Sequence, residues 1–179
     1  LFAYREPYVF QSLIDRLVAG SIDYLAAQVN AGAEVVQIFD SWAGVLPADE
    51  FFHWCVAPIK AIVAGLKARA PQVKVIAFPR GGGSHLAHFA AATGADALGL
   101  DTATDLDWVR RNIAPTTPLQ GNLDPLALVA GGESLRKGIA RITGTLAGRP
   151  YIFNLGHGIL PQTPLAHVEA LLAQLRAPA

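Results

Sequence analysis

Ser41 is the residue whose type and setting first suggest chemistry. It follows Phe39-Asp40 and precedes Trp42, so a hydroxyl and a carboxylate lie beside two large aromatic side chains. A serine nucleophile of the hydrolase type requires the spacing G-x-S-x-G, because a sharp turn must expose its Oγ. The segment does not have that spacing. An acyl-enzyme mechanism is therefore not supported.

His157 is the second candidate, because glycine stands on both sides of it, at Gly156 and Gly158. Glycine lets the main chain approach a ligand closely or take a positive φ. A histidine in such a setting can donate a hydrogen bond to a carboxylate or transfer a proton near neutral pH. We interpret His157 as functional. The remaining histidines fall on predicted helices and are interpreted as structural: His53, His85, His88 and His167.

Arg80 directly precedes the triplet Gly81–Gly83 and is a candidate anion ligand. A guanidinium matches a carboxylate with two parallel hydrogen bonds. A solvated loop arginine is an equal alternative. The glycines could offer amides to an anion, but the spacing of a phosphate-binding loop, G-x-x-x-x-G-K-[ST], is absent. The indication of a nucleotide site is weak.

His53-Trp54-Cys55 superficially resembles a pair of metal ligands. Residues two apart on a helix point in nearly opposite directions and cannot share one zinc ion. Cys55 is the only cysteine of the chain, so an internal disulfide is excluded and a buried, reduced thiol is expected. No metal is predicted.

The composition restricts the class of partner. Lys plus Arg and Asp plus Glu number 14 each, and no basic run occurs, which argues against nucleic acid and acidic membranes. No apolar run reaches the roughly 18 residues of a membrane span. With 52% hydrophobic residues the chain can form a core. The balanced charge and the lack of a membrane span together predict a cytoplasmic protein whose partner is a small molecule or another protein.

Five short apolar segments alternate with helical patterns. The segments lack the apolar–polar alternation of strands with one face in water, so each predicts a strand buried on both faces of a parallel sheet. The predicted strands are Val35–Phe39, Val73–Phe78, Ala97–Asp101, one that ends near Gln120, and Tyr151–Leu155. This pattern fits either an open doubly wound sheet or part of a (β/α)8 barrel, which takes about 250 residues. The pattern alone does not choose between them.

Polar residues follow each predicted strand, where both architectures place their functional groups. They are Asp40 and Ser41, Arg80, Asp101, Asn122 and Asp124, and Asn154 to His157. Asp101 and Asn122 could equally be turn formers. Asp124 before Pro125 is expected to cap a helix. We predict further caps at Thr104 and Thr163, and a last helix that buries Leu165, Val168, Leu172 and Leu175.

Three segments together resemble one family, the uroporphyrinogen decarboxylases. They are Gln37–Gly44, Gln120–Pro125 and Phe153–Ile159, and the resemblance extends over essentially all 179 residues. It implies a (β/α)8 barrel, of which residues 1–179 form a single domain that supplies about five consecutive βα units. It also implies that the chain is the C-terminal part of such an enzyme, and that this part alone is inactive.

The resemblance implies a carboxy-lyase of haem biosynthesis. Such an enzyme converts the acetate side chains of uroporphyrinogen III to the methyl groups of coproporphyrinogen III with neither metal nor organic cofactor. Ser41, His157 and Phe39 would contact the substrate, with Arg80 as a further candidate. The family's aspartate for the pyrrole N–H groups, its arginine-bearing loop and its tyrosine match no position here and are expected upstream of Leu1. The family also suggests a homodimer.

Two alternatives remain. A cobalamin-related methyltransferase of the same superfamily would need zinc ligands at the strand ends, and no cysteine follows Phe78 or Gly156 directly. A catalytically inactive barrel that acts as a binding protein is the other alternative. The presence of Ser41 and His157 argues against loss of function.

Overall fold

The computed structural model describes residues 1–177. Their contacts divide the chain into two compact units, Leu1–Leu98 and Gly99–Ala179, which are described separately. The expectation of a single domain over residues 1–179 stays a prediction.

The first unit alternates helices and parallel strands. Its elements are α1 (Phe2–Arg5), α2 (Pro7–Asn30), β1 (Val35–Asp40), α3 (Ala48–Phe51), α4 (Ala57–Arg69), β2 (Lys74–Pro79), α5 (Leu86–Thr93) and the start of β3 (Ala97–Gly99). A single turn of π-helix, Phe52–Val56, joins α3 to α4 and is called the π-turn. Short 3₁₀ turns follow β1 at Ala43–Val45 and β2 at Gly83–His85.

The strands of this unit pair in parallel and in chain order. β1 pairs with β2 from Val35 opposite Lys74 to Asp40 opposite Pro79, and β2 pairs with β3 at Ile76 opposite Ala97. Every residue of β2 after Lys74 is buried, as expected for a strand that is covered on both faces. The predicted first two strands are confirmed to within one residue at each end.

A continuous helical stretch of 22 residues, Ala48–Arg69, is long and apolar enough to cross a membrane by length and composition alone. The buried helix of a globular core passes the same test. Side chains that are less than a tenth exposed recur along it at helical spacing: Phe51, Cys55, Ile59, Ile62, Val63 and Leu66. We therefore interpret the stretch as a core helix with one apolar face.

The second unit continues the alternation. Its elements are the end of β3, α6 (Leu106–Asn112), β4 (Leu119–Leu123), α7 (Pro125–Ala130), α8 (Gly132–Thr145), β5 (Tyr151–Leu155) and α9 (Leu165–Arg176). β4 is buried throughout and pairs in parallel with β5, from Leu119 opposite Tyr151 to Leu123 opposite Leu155. The predicted α/β class is confirmed. Parallel strands in chain order, each followed by a helix, are the pattern of consecutive units in a (β/α)8 barrel.

Three details of the sequence-based predictions are wrong. Asp105, not Thr104, caps α6, because its carboxylate accepts from the N–H groups of Asp107 and Trp108. The hydroxyl of Thr163 makes no hydrogen bond within residues 1–177, and α9 begins one residue later than predicted. On α9 only Leu171 is buried, whereas Leu165 is 80% exposed and Leu172 is 39% exposed.

Asp96 joins the start of β3 to β2. Its N–H donates to the carbonyl of Val75 at 2.8 Å, and its carboxylate accepts from the N–H of Val75 at 2.9 Å. Lys67 and Lys74 lie 2.8 and 3.4 Å from the carboxylate. Burial alone would raise the pKa of Asp96, but the hydrogen bonds from Lys67 and Val75 and the two ammonium charges outweigh it and lower the pKa.

We predict that Asp96→Ala destabilises the full-length protein by about 1–3 kcal/mol at neutral pH, because it leaves the Val75 N–H without its side-chain acceptor. A lowered folded-state pKa means that the carboxylate stabilises the fold fully above its unfolded pKa of about 4. That contribution is lost as the pH falls through the folded-state pKa. The difference in thermal midpoint between wild type and variant should therefore shrink below about pH 4.

Glu169→Ala is the matched control, because it removes one carboxylate from an exposed helical position. A full Asp96→Ala effect that persists at pH 3 would contradict the role of the ionised carboxylate.

Candidate functional site

The loop after β1 holds Ser41 at the carboxyl end of its strand. Asp40 is the last residue of β1, and its Oδ1 accepts a hydrogen bond from the N–H of Trp42 at 3.3 Å. When an aspartate side chain accepts a hydrogen bond from the main-chain N–H two residues later, the chain forms a turn, which here ends the strand. Ser41 lies inside this turn, is exposed, and its hydroxyl is bonded to no group within residues 1–177. It is therefore accessible to a ligand.

The loop after β2 places Arg80 at the same edge of the sheet. Its N–H donates to the carbonyl of Asp40 at 3.0 Å, and its carbonyl accepts from the N–H of Gly44 at 2.9 Å. The two loops touch where Gly44 meets Gly81: an added Cβ on Gly44 would lie 2.6 Å from the Cα of Gly81. Gly81 also has φ +76°, which favours glycine. The main chain of Arg80 is fixed while its side chain is exposed.

Exposed aromatic surface flanks Ser41. Phe39 is 65% exposed and Trp42 is 72% exposed, although aromatic rings ordinarily contribute to cores. The ring of Phe39 packs edge-on against Phe78, its register partner on β2, with ring centroids 5.9 Å apart. The first unit thus presents a hydroxyl, a guanidinium and two aromatic faces at one edge. That combination suits a flat, partly apolar ligand that also carries anionic groups.

Cys55 lies behind this edge, and its proximity to Asp40 has no signature in the amino-acid sequence. The residue is 1% exposed, and its thiol lies close to the Asp40 carboxylate. Burial, with the nearby charge of Asp40, raises the pKa of the thiol far above its usual range. The thiol therefore stays protonated and can donate. Cys55 lies in the π-turn Phe52–Val56, which helical periodicity does not reveal.

In the second unit, Asn122 binds the loop after β3. It lies within β4, which extends to Leu123 and so ends later than the predicted Gln120. The buried amide of Asn122 donates to the carbonyls of Asp101 and Thr104, at 2.9 Å in both cases. The carboxylate of Asp101 accepts from the N–H of Ala103 and from the hydroxyl of Thr104. Asp101 and Asn122 thus hold the loop after β3 in place. Asp124 caps α7 by accepting from the N–H of Leu126, as predicted.

A cavity of about 340 Å³ opens beside these loops within the second unit. Its polar lining comprises Thr102, Thr104, Asp105, Asn122, Asp124 and Arg141. Hydrogen bonds from the N–H groups of Trp108 and Asp107 lower the pKa of Asp105. Both aspartates already cap helices, so this cavity offers Arg141 as its one charged group without such a capping role.

His157 follows β5 in the second unit. Its Nδ1 accepts from the N–H of Gly158 at 2.7 Å, and the residue is exposed. A neutral imidazole with an accepting Nδ1 carries its proton on Nε2. His157 therefore presents Nε2–H to solvent as a hydrogen-bond donor.

The two glycines beside His157 have different roles. An added Cβ on Gly156 would lie 2.3 Å from the nitrogen of Thr102, whereas Gly158 has nothing within 4 Å of that position. Neither glycine has a positive φ. The expected close approach thus exists at Gly156, but it is made to the loop after β3 within the same unit. The expected positive φ is absent.

Three of the histidines interpreted as structural make contacts within the fold. His85 stacks on Phe51, with ring centroids 5.1 Å apart, and Nδ1 of His167 contacts the carbonyl of Leu128 at 3.0 Å. His53 contacts Gln11 at 3.3 Å. Within residues 1–177, no three side chains of His, Cys, Asp or Glu lie close enough to hold a metal ion.

Parallel βα units with polar side chains at the carboxyl ends of the strands are typical of (β/α)-barrel proteins. The family model for uroporphyrinogen decarboxylase (URO-D) matches residues 1–177. The chain belongs to the uroporphyrinogen decarboxylase family. The assignment drawn from three sequence segments is thus confirmed.

Curated relatives support the same assignment. The chain is 52% identical over 174 residues to the uroporphyrinogen decarboxylase of Rhizorhabdus wittichii, covering 97% of this chain and 51% of the relative. It is 52% identical over 175 residues to that of Granulibacter bethesdensis, covering 98% and 51%. For a Chelativorans species the identity is 48% over 176 residues, covering 98% and 51%. The chain spans about half the length of the curated relatives it matches.

We predict that Gly156→Ala destabilises the full-length protein by about 1–3 kcal/mol, because the main chain of Thr102 must shift to admit the methyl group. Gly158→Ala is the matched control on the other side of His157. It enters open space and should stay within about 0.5 kcal/mol of wild type. Thermal midpoints of the two variants provide the comparison, and equal midpoints would rule out the close approach at Gly156.

Proposed function

We propose that the full-length protein removes CO2 from the acetate side chains of uroporphyrinogen III and yields coproporphyrinogen III for haem biosynthesis. The family match over residues 1–177 supports this proposal above all. The relatives named above bear the name of that activity. In the proposed enzyme, this chain supplies one part of the substrate site.

The reaction has one chemical difficulty. Loss of CO2 from an acetate on a neutral pyrrole would leave a carbanion without stabilisation. Protonation of the ring at carbon turns it into an electron sink, so that the electrons of the breaking C–C bond are accepted by the ring. This step needs a proton donor and a polar environment that stabilises the cation as it develops. It needs neither a metal nor an organic cofactor.

In the proposal, the strand-end edge of the first unit binds the substrate. The Ser41 hydroxyl donates a hydrogen bond to a substrate carboxylate, and the Arg80 guanidinium pairs with another. The exposed ring of Phe39 packs against the macrocycle. The accessible hydroxyl and guanidinium and the exposed aromatic faces support these roles.

His157 donates from Nε2 to the substrate in the same proposal. Its Nδ1 is occupied by the N–H of Gly158, which orients the ring and leaves the Nε2–H directed outward. A donor oriented in this way binds the substrate at a low cost in side-chain entropy, because its rotamer is set before the substrate arrives. The groups that bind the pyrrole N–H bonds and the remaining carboxylates are proposed to come from the part of the family enzyme that this chain does not match.

We further propose a cytoplasmic homodimer that binds neither nucleic acid nor membranes. The balanced charge of 14 basic and 14 acidic residues and the buried thiol of Cys55 support the location and the absence of polyanionic partners. Size-exclusion chromatography with light scattering on the full-length protein tests the homodimer. A monomer at micromolar concentration would contradict it.

The activity is tested by incubating the purified full-length enzyme anaerobically with uroporphyrinogen III in the presence of a chelator. Coproporphyrinogen III should accumulate, with release of CO2. Absence of product under conditions in which a relative is active would overturn the proposed function.

We predict that His157→Ala lowers the turnover of the full-length enzyme by about tenfold or more, the scale of a lost positioned donor. The thermal midpoint should change little, because the side chain is exposed and, among residues 1–177, bonds only to its neighbour. His88→Ala, at an exposed position on α5, is the control. Full activity of His157→Ala would remove His157 from the site.

We predict that Ser41→Ala chiefly raises KM. A hydrogen bond to a charged group is worth about 1.5–3 kcal/mol, which corresponds to a factor of about 10 to 100. Steady-state kinetics on the full-length enzyme measures the change. Because Ser41 is a hydrogen-bond donor and not a nucleophile in this proposal, a substrate adduct on Ser41 in a mass spectrum would refute the role.

A further inference from the structure

Asp40 is fixed more tightly than the end of a strand requires. Its Oδ1 accepts from the N–H of Trp42, its carbonyl accepts from the N–H of Arg80, and its carboxylate lies close to the buried thiol of Cys55. Its Cα is paired with that of Pro79. Three of these contacts reach groups on other segments. The residue that directly precedes Ser41 is therefore held by its own loop, by the neighbouring strand end and by the buried helix.

The contact with Cys55 depends on the π-turn Phe52–Val56. A π-turn inserts one residue relative to an α-helix and so changes the direction of the side chains that follow by about 100°. Here the turn contains a thiol that is 1% exposed and directed at the strand end. Since π-turns are frequent at functional sites, this location requires an explanation beyond core packing.

We propose that Asp40 is a positioning residue that orients Ser41, and that the thiol of Cys55 holds Asp40 in that orientation. The proposal rests on the proposed role of Ser41 in substrate binding. In the simpler alternative, Asp40 only ends the strand and Cys55 only fills the core. That alternative predicts a loss of stability without a specific loss of substrate affinity.

The structure shows how the orientation would be transmitted. The Asp40 carboxylate accepts from the N–H of Trp42, on the far side of Ser41, and lies close to the thiol of Cys55, on the core side. Removal of the carboxylate frees the turn that contains Ser41, so the hydroxyl samples several directions and binds the substrate less well.

The decisive experiment is a double-mutant cycle on the full-length enzyme with Ser41→Ala, Asp40→Ala and the combined variant. If Asp40 acts through Ser41, Asp40→Ala raises KM with a smaller effect on kcat, and the combined variant has a KM no higher than the larger single effect. Asp40→Asn keeps one oxygen for Trp42 and should raise KM less than Asp40→Ala. It also provides a variant that folds should Asp40→Ala be unstable.

Cys55 is tested with two substitutions and a packing control. Cys55→Ala removes the donor and should raise KM, whereas Cys55→Ser retains a donor and should restore KM toward wild type. Val56→Ala truncates a side chain of the same π-turn that is 5% exposed and has no polar atom. It should lower the thermal midpoint while KM remains that of wild type.

The outcomes separate the two proposals. If Ser41→Ala has the KM of wild type, the proposed role of Ser41 is wrong. If Ser41→Ala raises KM but Asp40→Ala does not, or if the two effects multiply in the combined variant, the positioning role of Asp40 is wrong while the proposed function stands. Equal KM values for Cys55→Ala and wild type would remove Cys55 from the mechanism.

Discussion

The contact between Gly44 and Gly81 is the constraint on which the candidate site of the first unit depends. Two main-chain loops meet there at a distance that leaves no room for a Cβ. This approach brings the carbonyl of Arg80 within reach of the N–H of Gly44, and the register of β1 with β2 brings the N–H of Arg80 to the carbonyl of Asp40. Both loops are thereby held by main-chain bonds. The side chains of Ser41 and Arg80 need take no part in the fold, and are available to a ligand.

In the second unit, contacts with the main chain also hold the strand-end segments in place, but different residues make them. Gly156 lets the end of β5 contact the main chain of Thr102, and the buried amide of Asn122 binds two carbonyls of the loop after β3. The polar residues at these strand ends thus have two kinds of role. Asp101 and Asn122 satisfy buried main-chain groups that would otherwise be costly. Within the described part of the chain, His157 bonds only to its neighbour, and it is exposed.

Much of the fold and part of the site could be predicted from the sequence. Short apolar strands have a local signature, which is why β1, β2 and β5 were predicted to within about one residue. Their predicted burial on both faces is confirmed only for β2: in β1 Val36 alone is buried, and β5 has no buried residue. Family motifs indicated Ser41 and His157 as candidates, and their roles in the site stay predictions. Caps were less predictable, because Thr104 and Asp105 are both good capping residues and only the three-dimensional position of Asp101, which binds the Thr104 hydroxyl, decides between them. The contact of Cys55 with Asp40 was not predictable, since it depends on a π-turn and joins residues on separate elements.

The protonated, buried state of Cys55 has a consequence for labelling these residues with probes. Thiol reagents attack the thiolate, and a thiol with a strongly raised pKa that is 1% exposed supplies almost none at neutral pH. Cys55 is also the only cysteine of the 179. A second cysteine introduced at an exposed position of this region would therefore react alone within it, so a fluorophore or spin label could report on the strand-end loops while the native thiol stays unmodified.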